Sequence, residues 1–242
     1  MRFFVGLHQP SDAKHIDRAF ISVNRVRSRK KQIGAGSWIM DSGAFTEIAT
    51  YGRYRSTVED YAAEINRWAI ADSGLIAAVS QDYMCEPFIV AKTGLSVEAH
   101  QWLTIERYDA LLPLVKNVYL MPVLQGYFPS DYVRHLGMYG DRLAAGAWVG
   151  VGSVCKRNTN VATIEHVLSA IKSARPDLRL HAFGLKITAL ASAVVRDLLY
   201  TADSMAWSFA ARRQGRNAND WREAAAFSRL IDTMPVQTGW CL

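Results

Sequence analysis

Short apolar runs alternate with amphipathic stretches along most of the chain, and a small polar residue closes run after run. FFVGLH (3–8), SWIMDSG (37–43), LIAAVSQD (75–82), VYLMPVLQG (118–126), AWVGVGS (147–153), LRLHAFGLK (178–186) and DSMAWS (203–208) are brief, mostly apolar and punctuated by Gly, Asp or Ser. Strands buried on both faces of a parallel sheet read this way. Between the runs, Val58 to Ala69, Val97 to Val115, Asp131 to Leu143, Ile164 to Ala174 and Leu190 to Tyr200 carry helical periodicity. Ser56 or Thr57, Ser96, Ser130 and Thr163 stand where N-caps belong, and Glu59, Glu98 and Glu165 fall in first turns, where they complement the helix dipole.

Alternation of this kind favours parallel strands joined by right-handed crossovers. Seven strands are legible, with PVQTGW near the C-terminus as a weak eighth, so the pattern predicts an α/β fold of TIM-type (β/α)8 barrel form, irregular at its last strand. A doubly wound open sheet is the alternative, but such a sheet collects its ligand at one switch point. Here Asp41, Asp82, Gln125, Ser153 and Asp203 are spread over five different strands. In a barrel those ends open on one face and converge on one pocket. The 242 residues hold no internal repeat and no low-complexity linker, which suits a single domain over 1–242.

Composition narrows the classes. Half of the residues (50%) are hydrophobic, yet no stretch approaches the roughly 18 consecutive apolar residues of a membrane span. The N-terminal residues lack a secretory signal pattern, so the expectation is a soluble, cytoplasmic protein without a membrane partner. Cys85, Cys155 and Cys241 have neither CxxC spacing nor a nearby His pair, which argues against a disulfide framework or structural zinc. No metal or cofactor is expected. The net charge of +6 suits a polyanionic partner and ordinary solubility equally well. VGVGSV lacks the GxGxxG spacing and GLKITAL lacks a P-loop pattern, so neither NAD chemistry nor triphosphate hydrolysis is supported.

Taken singly, the polar residues are ambiguous. Asp41 and Asp82 suit turns as well as chemistry. Asp203 lies in a segment that should be buried, and a buried carboxylate needs a partner or a function. Gln125 is followed by Gly126, which permits close backbone approach. The basic run Arg25, Arg27, Arg29, Lys30 and Lys31 reads as a solvated face, whereas Arg212, Arg213 and Arg216 follow Asp203 in what reads as a loop on the pocket face, beside Gly215, where a phosphate could sit.

Read in order, MDSGAF, SQDYMCEP, PVLQG, VGVGS, HAFGLK and ADSMAWS resemble the strand-end motifs of the guanine transglycosylase superfamily. MCEP, GVGSVCKRN and RPDLRLHAFGLK are similar to its phage and bacterial DNA-modifying branch, the DNA 7-deazaguanine transglycosylases, and the likeness runs from about Trp38 to Gly215. The resemblance implies base exchange: Asp203 as nucleophile at the anomeric carbon, Asp41 as general acid and base, and Asp82, Gln125, Gly126 and the backbone of Trp148, Gly150 and Gly152 around the purine edge. It implies stacking by Phe45 and Phe183, with core packing as the other reading, and nucleic-acid contacts from Arg212, Arg213, Arg216 and Lys186. The partners implied are DNA, with its guanine single-stranded or flipped out, and a free 7-deazaguanine base; Trp207, Phe209 and Arg212 are candidates to fill the vacated stack or grip the strand. The biological role implied is phage DNA hypermodification that protects against restriction. Two departures from the tRNA-modifying members, a missing C-terminal zinc signature and Phe209 where an arginine is expected, argue against tRNA as the substrate; a tRNA-guanine transglycosylase of the queuosine or archaeosine type is the alternative.

Overall fold

A computed structural model describes residues 1–157 and 160–235, with Lys156 described by its backbone. The strands are β1 (Arg2–Gly6), β2 (Arg18–Ser22), β3 (Ser37–Asp41), β4 (Leu75–Val79), β5 (Tyr119–Met121), β6 (Val123–Leu124), β7 (Trp148–Val151), β8 (Arg179–Ala182) and β9 (Thr201–Ser204). They form one sheet in the order β5-β4-β3-β2-β1-β9-β8-β7-β6, parallel at every pairing. The two outermost strands in that order are consecutive pieces of one chain segment, split at Pro122. Proline has no N–H to give a ladder. Upstream of it β5 pairs with β4; downstream β6 pairs with β7, and the Gly150 N–H donates to the Pro122 carbonyl at 2.8 Å. The sheet therefore closes into a TIM-like α/β barrel with a single seam.

The strand that the sequence pattern omits is β2, which lies between β1 and β3. Residues 236–240 of the PVQTGW candidate fall outside the described residues. Strand β2 escapes the pattern because a 3-10 turn (Pro10–His15) precedes it and a four-residue helix (Val23–Val26) follows it, so no long amphipathic stretch frames it. The DSMAWS run is also corrected: the strand ends at Ser204, and Ala206–Arg213 is a helix. Within Leu190 to Tyr200 the helix is only Ala193–Leu198, and a separate short helix, Ile187–Leu190, precedes it. Of the caps, Thr57 closes a capping box with Asp60 and Ser96 accepts the Ala99 N–H, while Ser130 and Thr163 lie inside their helices. No described helix is long and apolar enough to cross a membrane.

Side chains alternate across each strand with period two. Phe4, Ile39, Ala77, Val79, Met121, Val123 and Trp148 form one buried cluster that fills the barrel. Their strand neighbours Phe3, Val5, Trp38, Met40, Ala78 and Val149 belong to the larger cluster under the helices. The same alternation carries upward to the site. Asp41 shares the phase of Ile39, His181 and Phe183 alternate with the outward Leu180 and Ala182, and Asp203 is in register with Phe4.

Candidate active site

A cavity of about 680 Å³ opens at the C-terminal ends of the strands. Its lining draws on every part of the barrel. His8 follows β1, Ser22 and Arg25 come from the end of β2, Asp41 ends β3, and Asp82 and Glu86 follow β4. Gln125 follows β6, Ser153 follows β7, Phe183 follows β8, and Asp203 stands in β9. The structure thus brings together Asp41, Asp82, Gln125, Gly152, Phe45, Phe183 and Asp203 from the sequence-based candidates.

Asp203 is only 5% exposed. Its Oδ1 accepts the Gly184 N–H at 3.1 Å and faces His181 Nε2 at 3.3 Å. Behind it runs a directed array. The Trp148 indole N–H donates to Thr201 Oγ1 at 2.8 Å, and Thr201 Oγ1 lies 2.8 Å from His181 Nδ1. An indole can only donate, so the Thr201 hydroxyl proton is free to go to His181 Nδ1; in that arrangement the Nε2 side of the ring carries the N–H that faces Asp203. Phe20 stacks on the imidazole with centroids 5.6 Å apart, and Phe183 meets it edge-on at 4.7 Å. The nucleophile candidate is therefore held by a buried ring that itself has little freedom.

Asp41 accepts the Gly43 N–H at 3.1 Å, a local turn bond, and it is bonded to Ser22, its register partner on β2. Burial, and then the charge of Asp203, push its carboxyl up to about 6. Asp41 can thus hold a proton at a pH where an ordinary carboxyl has lost it. A carboxyl that keeps its proton beside a second carboxylate can serve as acid and base while the other serves as nucleophile.

Asp82, Gln125 and Ser153 form the opposite wall. The Gln125 amide donates to Asp82 Oδ2 at 2.5 Å, and its Oε1 lies 2.7 Å from Ser153 Oγ. Ser42 donates to Asp82 Oδ1 at 3.3 Å, and the Tyr54 hydroxyl accepts the Asp82 N–H. Burial, then the charge of Asp41, push Asp82 up to about 7, against the opposing hydrogen bonds from Gln125 and Ser42. A buried acceptor next to an amide suits a ligand edge rich in N–H donors.

Other candidates have structural work of their own. A Cβ on Gly152 would overlap the Gln125 amide, and one on Gly150 would come within 2.5 Å of the Phe183 ring. These glycines make room for site side chains, and the Gly152 N–H and C=O are already bonded to Leu124 and Tyr132. Gly126 is packed toward Asp131 and Tyr132, and Trp148 lies in the barrel's inner cluster. Gly126, Trp148 and Gly150 are not part of the cavity lining. Phe183 serves both readings, as wall and as packing. Phe45 lines the mouth and is 49% exposed.

The basic residues are distributed differently from the sequence-based expectation. Arg212 and Arg213 occupy the exposed last turn of helix Ala206–Arg213, not a loop, and Arg216 is ion-paired with Glu223. Lys186 precedes the short helix Ile187–Leu190. None of these four lines the cavity, whereas Arg25, assigned from sequence to a solvated face, does. Burial, then Arg25 and Arg212, push the His8 imidazole below its ordinary value, which places both cations near the pocket mouth. Trp207 is buried, with its indole N–H on the Gly6 carbonyl, and cannot enter a base stack without leaving the core. Sequence reasoning missed His181, Ser42, Ser22, Glu86 and Arg25; for His181 the period-two spacing to Phe183 was the available signal. Among the described residues, no group of three His, Cys, Asp or Glu side chains is placed to hold a metal ion.

Comparison with curated proteins finds no match. A protein-family model, described as DeoxyPurine in DNA protein A, matches residues 1–221, which takes in every strand and every cavity-lining residue. The chain belongs to this family, DpdA, whose description concerns deoxypurine in DNA.

Proposed function

We propose that the protein exchanges guanine in DNA for a 7-deazaguanine base through a covalent glycosyl-enzyme at Asp203. The observation that carries this reading is the pairing, in one cavity, of the coupled carboxylates Asp41 and Asp203 with the Asp82–Gln125 wall. Asp203 attacks the anomeric carbon as the bond to guanine breaks, and protonated Asp41 gives its proton to the departing purine. The incoming base then returns a proton to Asp41 while its ring nitrogen attacks the same carbon and releases Asp203. Two inversions retain the β-configuration. Asp82 accepts from the N1–H and 2-amino donors, and the second amide hydrogen of Gln125 meets O6; adenine would leave these buried groups unpaired. The target nucleotide has to leave the stack, at a cost of a few kcal/mol, and Arg25, Phe45 and Arg212 stand where its strand would run. Bases altered at the 7-position change the edge that restriction enzymes read, so protection of phage DNA belongs to the same reading.

The test is incubation with guanine-containing DNA or tRNA and a panel of 7-deazaguanine bases, followed by digestion and nucleoside mass spectrometry, with Asp203→Ala as control. A deazaguanosine mass in DNA, absent with the variant, is expected. The same mass in tRNA alone would transfer the protein to the tRNA-modifying class, and its persistence with Asp203→Ala would remove the nucleophile assignment.

A further inference from the structure

Glu86 is a further buried carboxylate in the pocket wall, and neither the fold nor the exchange chemistry above uses it. It is 2% exposed, and it precedes helix Pro87–Thr93 without capping it. The backbone carbonyl, not the carboxylate, meets that helix, taking the Ile89 and Val90 N–H groups. Oε2 lies 2.8 Å from Ser153 Oγ and Oε1 lies 3.8 Å from the Cys155 thiol, a weak donor at that range. Among the described residues, no Lys or Arg forms an ion pair with it. A carboxylate removed from water with so little compensation is costly unless a ligand completes it.

The hydrogen-bond arithmetic points the same way. Ser153 Oγ accepts the Cys85 N–H at 2.9 Å and owns one proton. Two acceptors stand within reach of that proton, Gln125 Oε1 at 2.7 Å and Glu86 Oε2 at 2.8 Å. The Gln125 amide cannot turn over to help, because its NH2 group is held by Asp82. The wall therefore runs Asp82, Gln125, Ser153, Glu86 with carboxylates at both ends and too few donors between them. A 7-deazaguanine presents its groups along one edge in the order 2-amino, N1–H, O6 and 7-substituent. Setting the first two on Asp82 and O6 on Gln125 brings the 7-substituent to Ser153 and Glu86.

We infer that Glu86 and Ser153 form the subsite for the 7-substituent and select a cationic, donor-bearing group, an aminomethyl or amidine, over a neutral nitrile. The inference rests on the base-exchange reading. A nitrile offers only an acceptor and leaves the carboxylate unpaired, whereas an ammonium or amidinium supplies both charge and N–H donors.

The experiment compares 7-aminomethyl-7-deazaguanine with 7-cyano-7-deazaguanine as incoming bases on guanine-containing DNA, for the wild-type chain and Glu86→Gln, which keeps the side-chain shape and removes the charge. Exchange of labelled guanine into DNA is measured alongside. Calorimetric binding of the two free bases gives a readout that needs no turnover and, for the wild type, no variant. A preference for the aminomethyl base of about 10- to 100-fold in kcat/KM, carried mainly by KM and largely lost in Glu86→Gln, is expected. Preference for the nitrile, equal binding of the two bases, or an aminomethyl preference that survives in Glu86→Gln would overturn the inference while labelled-guanine exchange left the base-exchange reading standing. Absence of exchange with every base, guanine included, would remove that reading and the inference with it.

Discussion

At the scale of single residues the site is a set of carboxylates held where water is scarce, each kept in use by one or two specific neighbours. For Asp203 the neighbour is His181, whose ring is held by the Thr201 and Trp148 bonds behind it. His181→Ala should therefore slow formation of the glycosyl-enzyme, lowering kcat by about 10- to 100-fold with a smaller change in KM. His181→Gln, which returns an N–H near the same place, should recover part of the loss. A purely structural role would instead lower the melting temperature and leave kcat of the folded fraction intact. Asp41 and Asp82 make a different prediction. Their folded values, about 6 and about 7, lie above the ordinary carboxyl value, so both bind a proton more tightly folded than unfolded. The stability this contributes is present in full below about pH 4 and is lost as pH rises through 6 to 7. The unliganded protein should lose stability between about pH 4 and 7, and Asp82→Asn should flatten that loss, raising stability at pH 8 by roughly 2–4 kcal/mol while abolishing base binding. Chemical denaturation across the pH range reads both effects; a variant no more stable than wild type at pH 8 would contradict the assignment.

At the scale of elements, the alternation within each strand does most of the placing. Trp38 and Met40 point to the helices while Ile39 and Asp41 point inward, so a run that looks uniformly apolar still sends its terminal carboxylate into the pocket. The buried runs and their polar ends were legible in the sequence because burial on both faces demands them locally. Strand β2 was not legible, since a turn and a very short helix flank it, and with it went Ser22 and Arg25. Strand β7 shows how packing then spends its glycines on the site. Gly150 leaves space for the Phe183 ring, which in turn abuts His181. Gly150→Ala should displace that ring, destabilise the fold by about 1–3 kcal/mol and raise KM for the incoming base, as thermal melts and initial rates would show. An unchanged melting temperature would mean that the ring yields without cost.

At the scale of the whole molecule, closure at Pro122 turns nine short strands into a ring whose ends all face one mouth, where Arg25 lines the cavity and Arg212 stands near it. Arg25 and Arg212 approach that mouth from strands adjacent to β1 on either side. Arg25→Ala should weaken binding of a single-stranded oligonucleotide and reduce the slope of log affinity against log salt by about one unit. Arg216→Ala, already paired with Glu223, should change that slope less. Equal effects of the two substitutions would show that the mouth has no privileged cation.

The sequence by itself determined that the chain builds a parallel barrel and that Asp41, Asp82, Gln125 and Asp203 sit at strand ends, because apolar runs, their periodicity and their polar terminators are local properties of neighbouring residues. Only the tertiary structure decided which of those residues meet. The bonds of Ser22 to Asp41, His181 to Asp203 and Ser153 to Glu86 join side chains from different strands or strand-end loops, and the neighbouring charges that raise Asp41 and Asp82 are brought to them only once the ring has closed. Pairings of that kind are set by register and by the sharing of few donors among many acceptors, and neither quantity is written in any single stretch of the chain.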